Sequence, residues 1–440
     1  MHFSEKVRRA GRGPLTALAA CAAMLGLGTV SGGCKPDEPE ETAVGGMVGA
    51  GGSGNGGAQQ GGTSAFGGAS AGDSSNGGAL PTTYCSLSSP VQGAIPAPGF
   101  CARNFARVAT PRTLLVAPNG DLFIGAPSAS TPGGAPFGDG AIFVASDDNK
   151  DGVAELSTFL SDVSEVHGIA LGGGYLYFTT RTSIFRTPYV NGQRKETGPR
   201  EDLKMPKDFA GARWTHGLAL SKGGRLLTTR GQYGTCGGTP GGAISLASME
   251  SLTDTALGMR NPLYVRCHYK DEVCAANELG EDQTMGAREK FILLRPDTNF
   301  GYPCCFGSKQ PISSDGPSEC DNVDPEDASF PLSNTPFGFD WEHDLWPEPY
   351  RGGVFVALHG SFYSSPRWEG VGVVYAPVDP KTRAPKNSEW RTFLDGFGPE
   401  GGPMERPSDI VFGEDGRMFI SDDQAGLIYW VAPETLMVRR

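Results

Sequence analysis

The stretch Pro111-Arg-Thr-Leu-Leu-Val-Ala-Pro-Asn-Gly-Asp-Leu-Phe-Ile-Gly125 reads as a strand, a tight turn and a second strand, and the pattern returns late in the chain as Pro407-Ser-Asp-Ile-Val-Phe-Gly-Glu-Asp-Gly-Arg-Met-Phe-Ile-Ser421. Asn119-Gly120 and Asp415-Gly416 sit between apolar runs and are strong hairpin signals. Related copies lie between them. Two are clear, His167-Gly-Ile-Ala-Leu through Thr179 and His216-Gly-Leu-Ala-Leu through Thr228. A degenerate copy runs from Arg260 through Glu278, and another ends in Gly353–His359. Copies about 40–80 residues apart suit propeller blades carrying loop insertions. A last copy that repeats the first suits a closed ring. The expectation is an all-β chain, a six-bladed β-propeller; the alternative is a sandwich with coincidental hairpins. Helical periodicity is scarce, and Ala287–Leu294 reads as one short helix or a strand.

Composition agrees. The 65 glycines and 34 prolines among 440 residues suit many short strands and turns. The net charge is -12 and the folded part has no basic cluster, which argues against a nucleic-acid binder.

The N-terminal residues read as a targeting segment. Lys6, Arg8, Arg9 and Arg12 precede an apolar run from Leu15 to Val30, the layout of a signal peptide over residues 1–33. Ser31-Gly-Gly-Cys34 is similar to a bacterial lipoprotein cleavage site, which would put a lipid on Cys34; plain secretion is the other reading. Residues 34–80 read as a disordered Gly/Ser/Ala-rich linker, because Val44–Ala79 has almost no large apolar side chains to bury. As a flexible coil it would reach roughly 30–35 Å. The propeller then occupies 81–440. Its eight cysteines, an even number in an exported chain, read as disulfides. Cys85–Cys101 and Cys267–Cys274 are the obvious local pairs, and the remaining connectivity is open. A zinc site is the weaker reading, since no CxxC occurs.

Several short motifs resemble one known family. Gly258-Met-Arg-Asn-Pro262 is similar to the Gly-x-Arg-Asn-Pro of the soluble glucose and sorbosone (aldose sugar) dehydrogenases. Asn277-Glu-Leu-Gly280, Asn299-Phe-Gly-Tyr-Pro303, His359-Gly-Ser-Phe362 and Arg406-Pro-Ser-Asp409 follow in the family's order, over about residues 105–432. The resemblance implies a propeller oxidoreductase with pyrroloquinoline quinone (PQQ) and calcium in a cleft at one end. It would oxidise a sugar or related aldehyde and pass electrons to an external acceptor. Such a chain is expected to be a monomer that meets a membrane only through Cys34.

The resemblance also assigns residues. Arg260, Asn261, Arg406 and His359 are the expected cofactor contacts; a guanidinium suits the carbonyls of a quinone and its anionic reduced form. The Gly301 and Pro303 carbonyls are the expected calcium ligands. The family's catalytic histidine position falls on Arg213, with its orienting partner near Gln232. Arginine stays protonated and cannot serve as a general base. His216 is the nearest substitute, although its repeat with His167 also suits a histidine joining two blades. Apart from the resemblance, Asp147, Asn149 and Asp151 form Asp-x-Asn-x-Asp-Gly, whose closely spaced oxygens suit calcium or a metal-free hairpin. No Gly-x-Ser-x-Gly elbow occurs in the folded part, which argues against a hydrolase built on Ser361 and His359. The rival to the enzyme is a non-catalytic exported propeller that recognises a carbohydrate or a protein.

Overall fold

The structure is a computed structural model, and it describes residues 82–127, 140–203, 215–231, 236, 241–248, 251–280, 288–306, 310–311, 318–360, 370–386, 389–398 and 402–438. The targeting segment, the linker, Arg213, Gln232 and Ser361 lie outside the described residues.

The described strands form six antiparallel blades. Blade 1 is Thr113–Val116, Leu122–Ala126, Ala141–Ser146 and Glu155–Leu160, innermost strand first. Blade 2 is Ile169–Gly172, Tyr175–Thr179, Ile184–Pro188 and Glu201–Asp202. Blade 3 is Leu218–Leu220, Leu226–Arg230, Gly241–Ser248 and Ser251–Met259, with Thr298–Asn299 added in parallel at its edge. Blade 4 is Asn261–Cys267, Cys274–Leu279, Glu289–Leu293 and Ala328–Phe330. Blade 5 is Pro336–Trp341, Val354–Leu358, Gly372–Ala376 and Arg391–Asp395, with Ile95–Pro96 outside it. Blade 6 is Pro407–Phe412, Met418–Asp422 and Leu427–Pro433. Its outer strand, Phe100–Arg107, comes from the start of the folded chain and pairs from Phe100↔Pro433 to Arg107↔Leu427. The six innermost strands touch in cyclic order, and the sixth meets the first.

The repeats thus mark the inner hairpin of blades 1, 2, 3, 4 and 6, while the copy ending at His359 supplies the second strand of blade 5. Gly120 and Gly416 occupy the same turn position, at φ +89° each, a conformation that favours glycine. Glu289–Leu293 is a strand, which resolves the ambiguity at 287–294. Its five residues are buried, so no polar period was there to tell strand from helix.

Inner strands are packed on both faces by neighbouring blades and read as apolar runs. All residues of Pro407–Phe412, Met418–Asp422 and Leu427–Pro433 are buried, whereas half of Glu155–Leu160 at an outer edge is exposed. Between blades 5 and 6, Trp346, Phe355, Phe393, Phe412 and Tyr429 pack with Phe100 from the closing strand. Carboxylates add directional contacts between blades. Asp409 accepts hydrogen bonds from the Leu114 amide of blade 1 at 2.8 Å and from the Arg266 guanidinium of blade 4 at 3.0 and 3.1 Å. Asp340 of blade 5 accepts from the Phe412 amide of blade 6 at 2.9 Å.

All eight cysteines of the propeller are in disulfides: Cys85–Cys101, Cys236–Cys304, Cys267–Cys274 and Cys305–Cys320. The two local pairs stand as expected, and no thiol remains for zinc.

Candidate functional site

In a hairpin, the start of the first strand and the end of the second lie at the same end. Six hairpins around one axis therefore gather their flanking residues at one end of the ring. Arg112, His167, His216, Arg260, Thr335 and Arg406 stand before or at the start of innermost strands. Arg230, Gly280, His359 and Asp423 close or follow second strands. Of the expected residues, His216, Arg260, Asn261, His359 and Arg406 are all brought to this axial end.

The centre of this end is a buried polar cluster. His359 follows Val354–Leu358, is 3% exposed, and places Nε2 3.0 Å from Asp423 Oδ1. Asp423 also pairs with the Arg112 guanidinium at 2.5 Å. The imidazole stacks on Phe337 at 4.0 Å between centroids and 6° between planes. Arg406 donates to the backbone carbonyls of His359, at 2.9 Å, and Gly360. Asp422 receives the Glu405 and Arg406 amides at 2.6 and 3.0 Å and so fixes the start of the sixth inner strand.

Burial sets the charge states. Burial, and then the Arg406 charge, push His359 down to about 3 in spite of Asp423, so the imidazole is neutral. Burial acts on Asp423 in the opposite direction, but Arg112, His359 and Arg406 together outweigh it and hold the carboxyl below its ordinary range. His167, at the same end, is also pushed to about 3 by burial and by Arg112.

Arg260 stands at the same end, before the innermost strand of blade 4. Its amide donates to Glu278 at 2.8 Å, and its guanidinium donates to the Gly280 carbonyl at 2.7 Å. Glu278 pairs with Lys290 at 2.9 Å. Asn261 is buried, with its side-chain oxygen 3.3 Å from the Thr215 hydroxyl. Gly258, at φ +74°, allows this corner to form, because a Cβ there would come 2.2 Å from Asn299 Oδ1 and 2.4 Å from the Gly301 nitrogen.

Two expectations, His216 as a base and Asp147–Asp151 as a calcium loop, need correction. His216 is fully buried, with Nδ1 2.7 Å from the Thr229 carbonyl and Nε2 3.0 Å from the Arg181 carbonyl. His216 is fully buried with a backbone carbonyl facing each ring nitrogen, one in blade 3 and one in blade 2, so it is not placed to take a substrate proton. The Gly301 carbonyl accepts the Cys304 and Cys305 amides at 2.9 and 2.7 Å in a turn. Pro303 is buried in that turn, after a cis peptide bond. The Asp147–Asp151 loop joins the third and fourth strands of blade 1, at the opposite end of the ring. Asp147 pairs there with Arg417 at 3.1 Å and accepts the Gly152 amide at 3.2 Å, while Asn149 and Asp151 bond to each other. Among the described residues, no three His, Cys, Asp or Glu side chains converge so as to hold a metal ion.

A cavity of about 190 Å³ runs between the innermost strands, lined by residues of all six blades and reaching Tyr269 and His343. The sequence assigned no role to Arg112, Lys290 or Glu278, although Glu278 lies in the quoted Asn277-Glu-Leu-Gly280 motif. Arg112 and Glu278 stand just outside or near the end of an inner-hairpin strand, whereas Lys290 lies in the third strand of blade 4.

No protein-family model matches the chain, and no curated protein matches it. Solved structures do. A carbohydrate-active enzyme of family AA12 from Trichoderma reesei, an iodide structure, is 16% identical with TM-score 0.62, covering 79% of this chain and 98% of that one. The holo form of the pyranose dehydrogenase PQQ domain from Coprinopsis cinerea is 16% identical with TM-score 0.60, covering 77% and 97%. The PQQ-bound form of an aldose sugar dehydrogenase from Streptomyces coelicolor is 16% identical with TM-score 0.50, covering 77% and 100%. At these identities the likeness shows a shared fold.

Proposed function

We propose that this chain is a sugar oxidoreductase that works with PQQ at the axial end described above. The observation that carries the reading is the placement of Arg112 and Arg406 about the buried His359, with Arg260 before the innermost strand of blade 4 at the same end, on the fold shared with PQQ-containing sugar dehydrogenases. The donor set suits the group: guanidiniums at the end of a ring match an anionic, carboxylated quinone. Bound there, the quinone would supply the hydride acceptor for C1 of a sugar or for an aldehyde hydrate. Arg260, at the same end, would hold it, with Asn261 behind. Arg406 would act from behind the cluster, fixing the His359–Gly360 backbone. The reading keeps calcium beside the quinone.

The working partners are a small sugar or aldehyde and a separate electron acceptor. Four disulfides support a place outside the cytoplasm, lipid-anchored at Cys34 or secreted.

The test is dye reduction by the full chain with PQQ, calcium and a panel of aldoses and aldehydes. Quinone-dependent reduction that falls with Arg260→Ala is expected. No reduction across the panel at saturating quinone would overturn the reading. One observation favours a second reading, a propeller for carbohydrate recognition without turnover: the expected base, His216, is fully buried with a backbone carbonyl facing each ring nitrogen.

A further inference from the structure

The cavity between the innermost strands has no part in the axial site. Arg260, His359 and Arg406 do not line it. Burial along the strands shows which way it opens. Thr113–Val116, Ile169–Gly172, Leu218–Leu220 and Asn261–Cys267 are each buried at the start and half-buried at the end. Their starts stand at the axial end. The cavity is therefore a well, closed beneath the polar cluster by His167 and open at the opposite end, where Tyr269 and His343 flank the mouth.

The wall has a defined chemistry. Each innermost strand is the free edge of its sheet, and an edge carries backbone N–H and C=O groups that its own ladder does not use. Asp409 takes the Leu114 and Ile410 amides, and Asp340 takes the Phe412 amide. The edges of blades 2 and 3 also line the well. Arg266 brings a guanidinium into the wall; it is 16% exposed and reaches both Asp409 oxygens through one nitrogen, Nη2. Asp409 and Asp340 together outweigh the charge of Arg266, so the well disfavours an anion. Backbone donors and acceptors beside one neutralised guanidinium suit hydroxyl groups, which both donate and accept. At the mouth the Tyr269 and His343 rings lie 4.2 Å apart at 34°. The Tyr269 hydroxyl donates to Asp344 at 2.9 Å, which fixes its ring. Aromatic faces around a few convergent polar groups are the usual lining of a small-molecule site.

We propose that this well is a second binding site, for a neutral polyol or sugar, entered from the end opposite the candidate quinone site. One end of the ligand lies against Tyr269 and His343, and its hydroxyls reach Arg266 and the free edges of blades 2 and 3. The volume of about 190 Å³ sets the size as a small polyol or a single sugar, not an oligosaccharide. The proposal does not rest on the oxidoreductase reading.

The test uses the full chain without quinone, with xylitol, glucose and gluconate as calorimetric probes. Xylitol or glucose should bind, and gluconate, an anionic polyol of similar size, should bind at least about tenfold more weakly. The neutral probe should slow hydrogen exchange at the amides of Ile169–Gly172 and Leu218–Leu220 in the parent chain, a readout that needs no variant. Tyr269→Ala should weaken binding by about tenfold or more, whereas Arg260→Ala, at the other end of the ring, should leave it unchanged. Absence of binding by both neutral probes at about 100 mM would overturn the proposal. So would binding that leaves exchange in those two strands unchanged, or binding lost in Arg260→Ala, since either places the polyol outside the well. Gluconate binding as tightly as glucose would overturn the assignment of a neutral ligand.

Discussion

The neutral state of His359 can be tested through stability, independently of any reaction. Burial and Arg406 depress its pKa to about 3, whereas in the unfolded chain it is near 6.5. Between those values the unfolded state binds a proton that the folded state refuses. Stability is therefore fully present above about pH 6.5 and is lost as pH falls toward 3. One pKa unit corresponds to about 1.4 kcal/mol, so lowering pH from 7 to 4.5 should remove about 2.5 kcal/mol through this group. Other buried groups titrate in the same range. Asp409 and Asp422 are each raised by burial to about 6 and work in the opposite direction, and His167 works in the same one. The comparison is therefore between the parent and His359→Gln, where the shared groups cancel. Arg112 remains to pair Asp423 in the variant. Urea unfolding of both chains at pH 7 and 4.5 should show the stability advantage of the parent shrinking by about 2.5 kcal/mol. An advantage that changed by less than about 0.5 kcal/mol would mean that His359 takes up its proton in the folded chain, and the account of its environment would be wrong.

Three further outcomes follow from the packing. Asp409→Ala removes the partner of Arg266 and of the Leu114 amide and should cost about 3–5 kcal/mol in urea unfolding. Trp346, fully buried between blades 5 and 6 with Nε1 2.7 Å from the Gly416 carbonyl, should cost about 3–5 kcal/mol on replacement by alanine. Gly258→Ala forces a Cβ onto Asn299 and the Gly301 nitrogen at a positive φ. It should displace Arg260 and weaken quinone binding at least tenfold in an absorbance titration, while the circular dichroism of the propeller persists.

The fold was legible because its signals are local. Asn119-Gly120 and Asp415-Gly416 announce hairpins, and the apolar runs beside them are strands buried on both faces. Ring closure was legible as a first copy repeated in the last, although the closing strand Phe100–Arg107 carries no copy of the motif. The gathering of Arg260, His359 and Arg406 followed from their places at strand ends. The loss of His216 as a base did not, because its partners Arg181 and Thr229 are backbone carbonyls, supplied whatever the side chain. The pairing of Asp423 with His359 and Arg112 was equally hidden, since ring closure alone brings position 423 beside position 112.

The most direct measurement is a titration of the full chain with PQQ and calcium, followed by the quinone absorbance, for the parent and for Arg260→Ala. The account predicts saturable, tight binding in the parent that weakens at least tenfold when the Arg260 guanidinium is removed. Absence of binding at saturating quinone, or binding indifferent to Arg260, would contradict it and leave a propeller built for recognition.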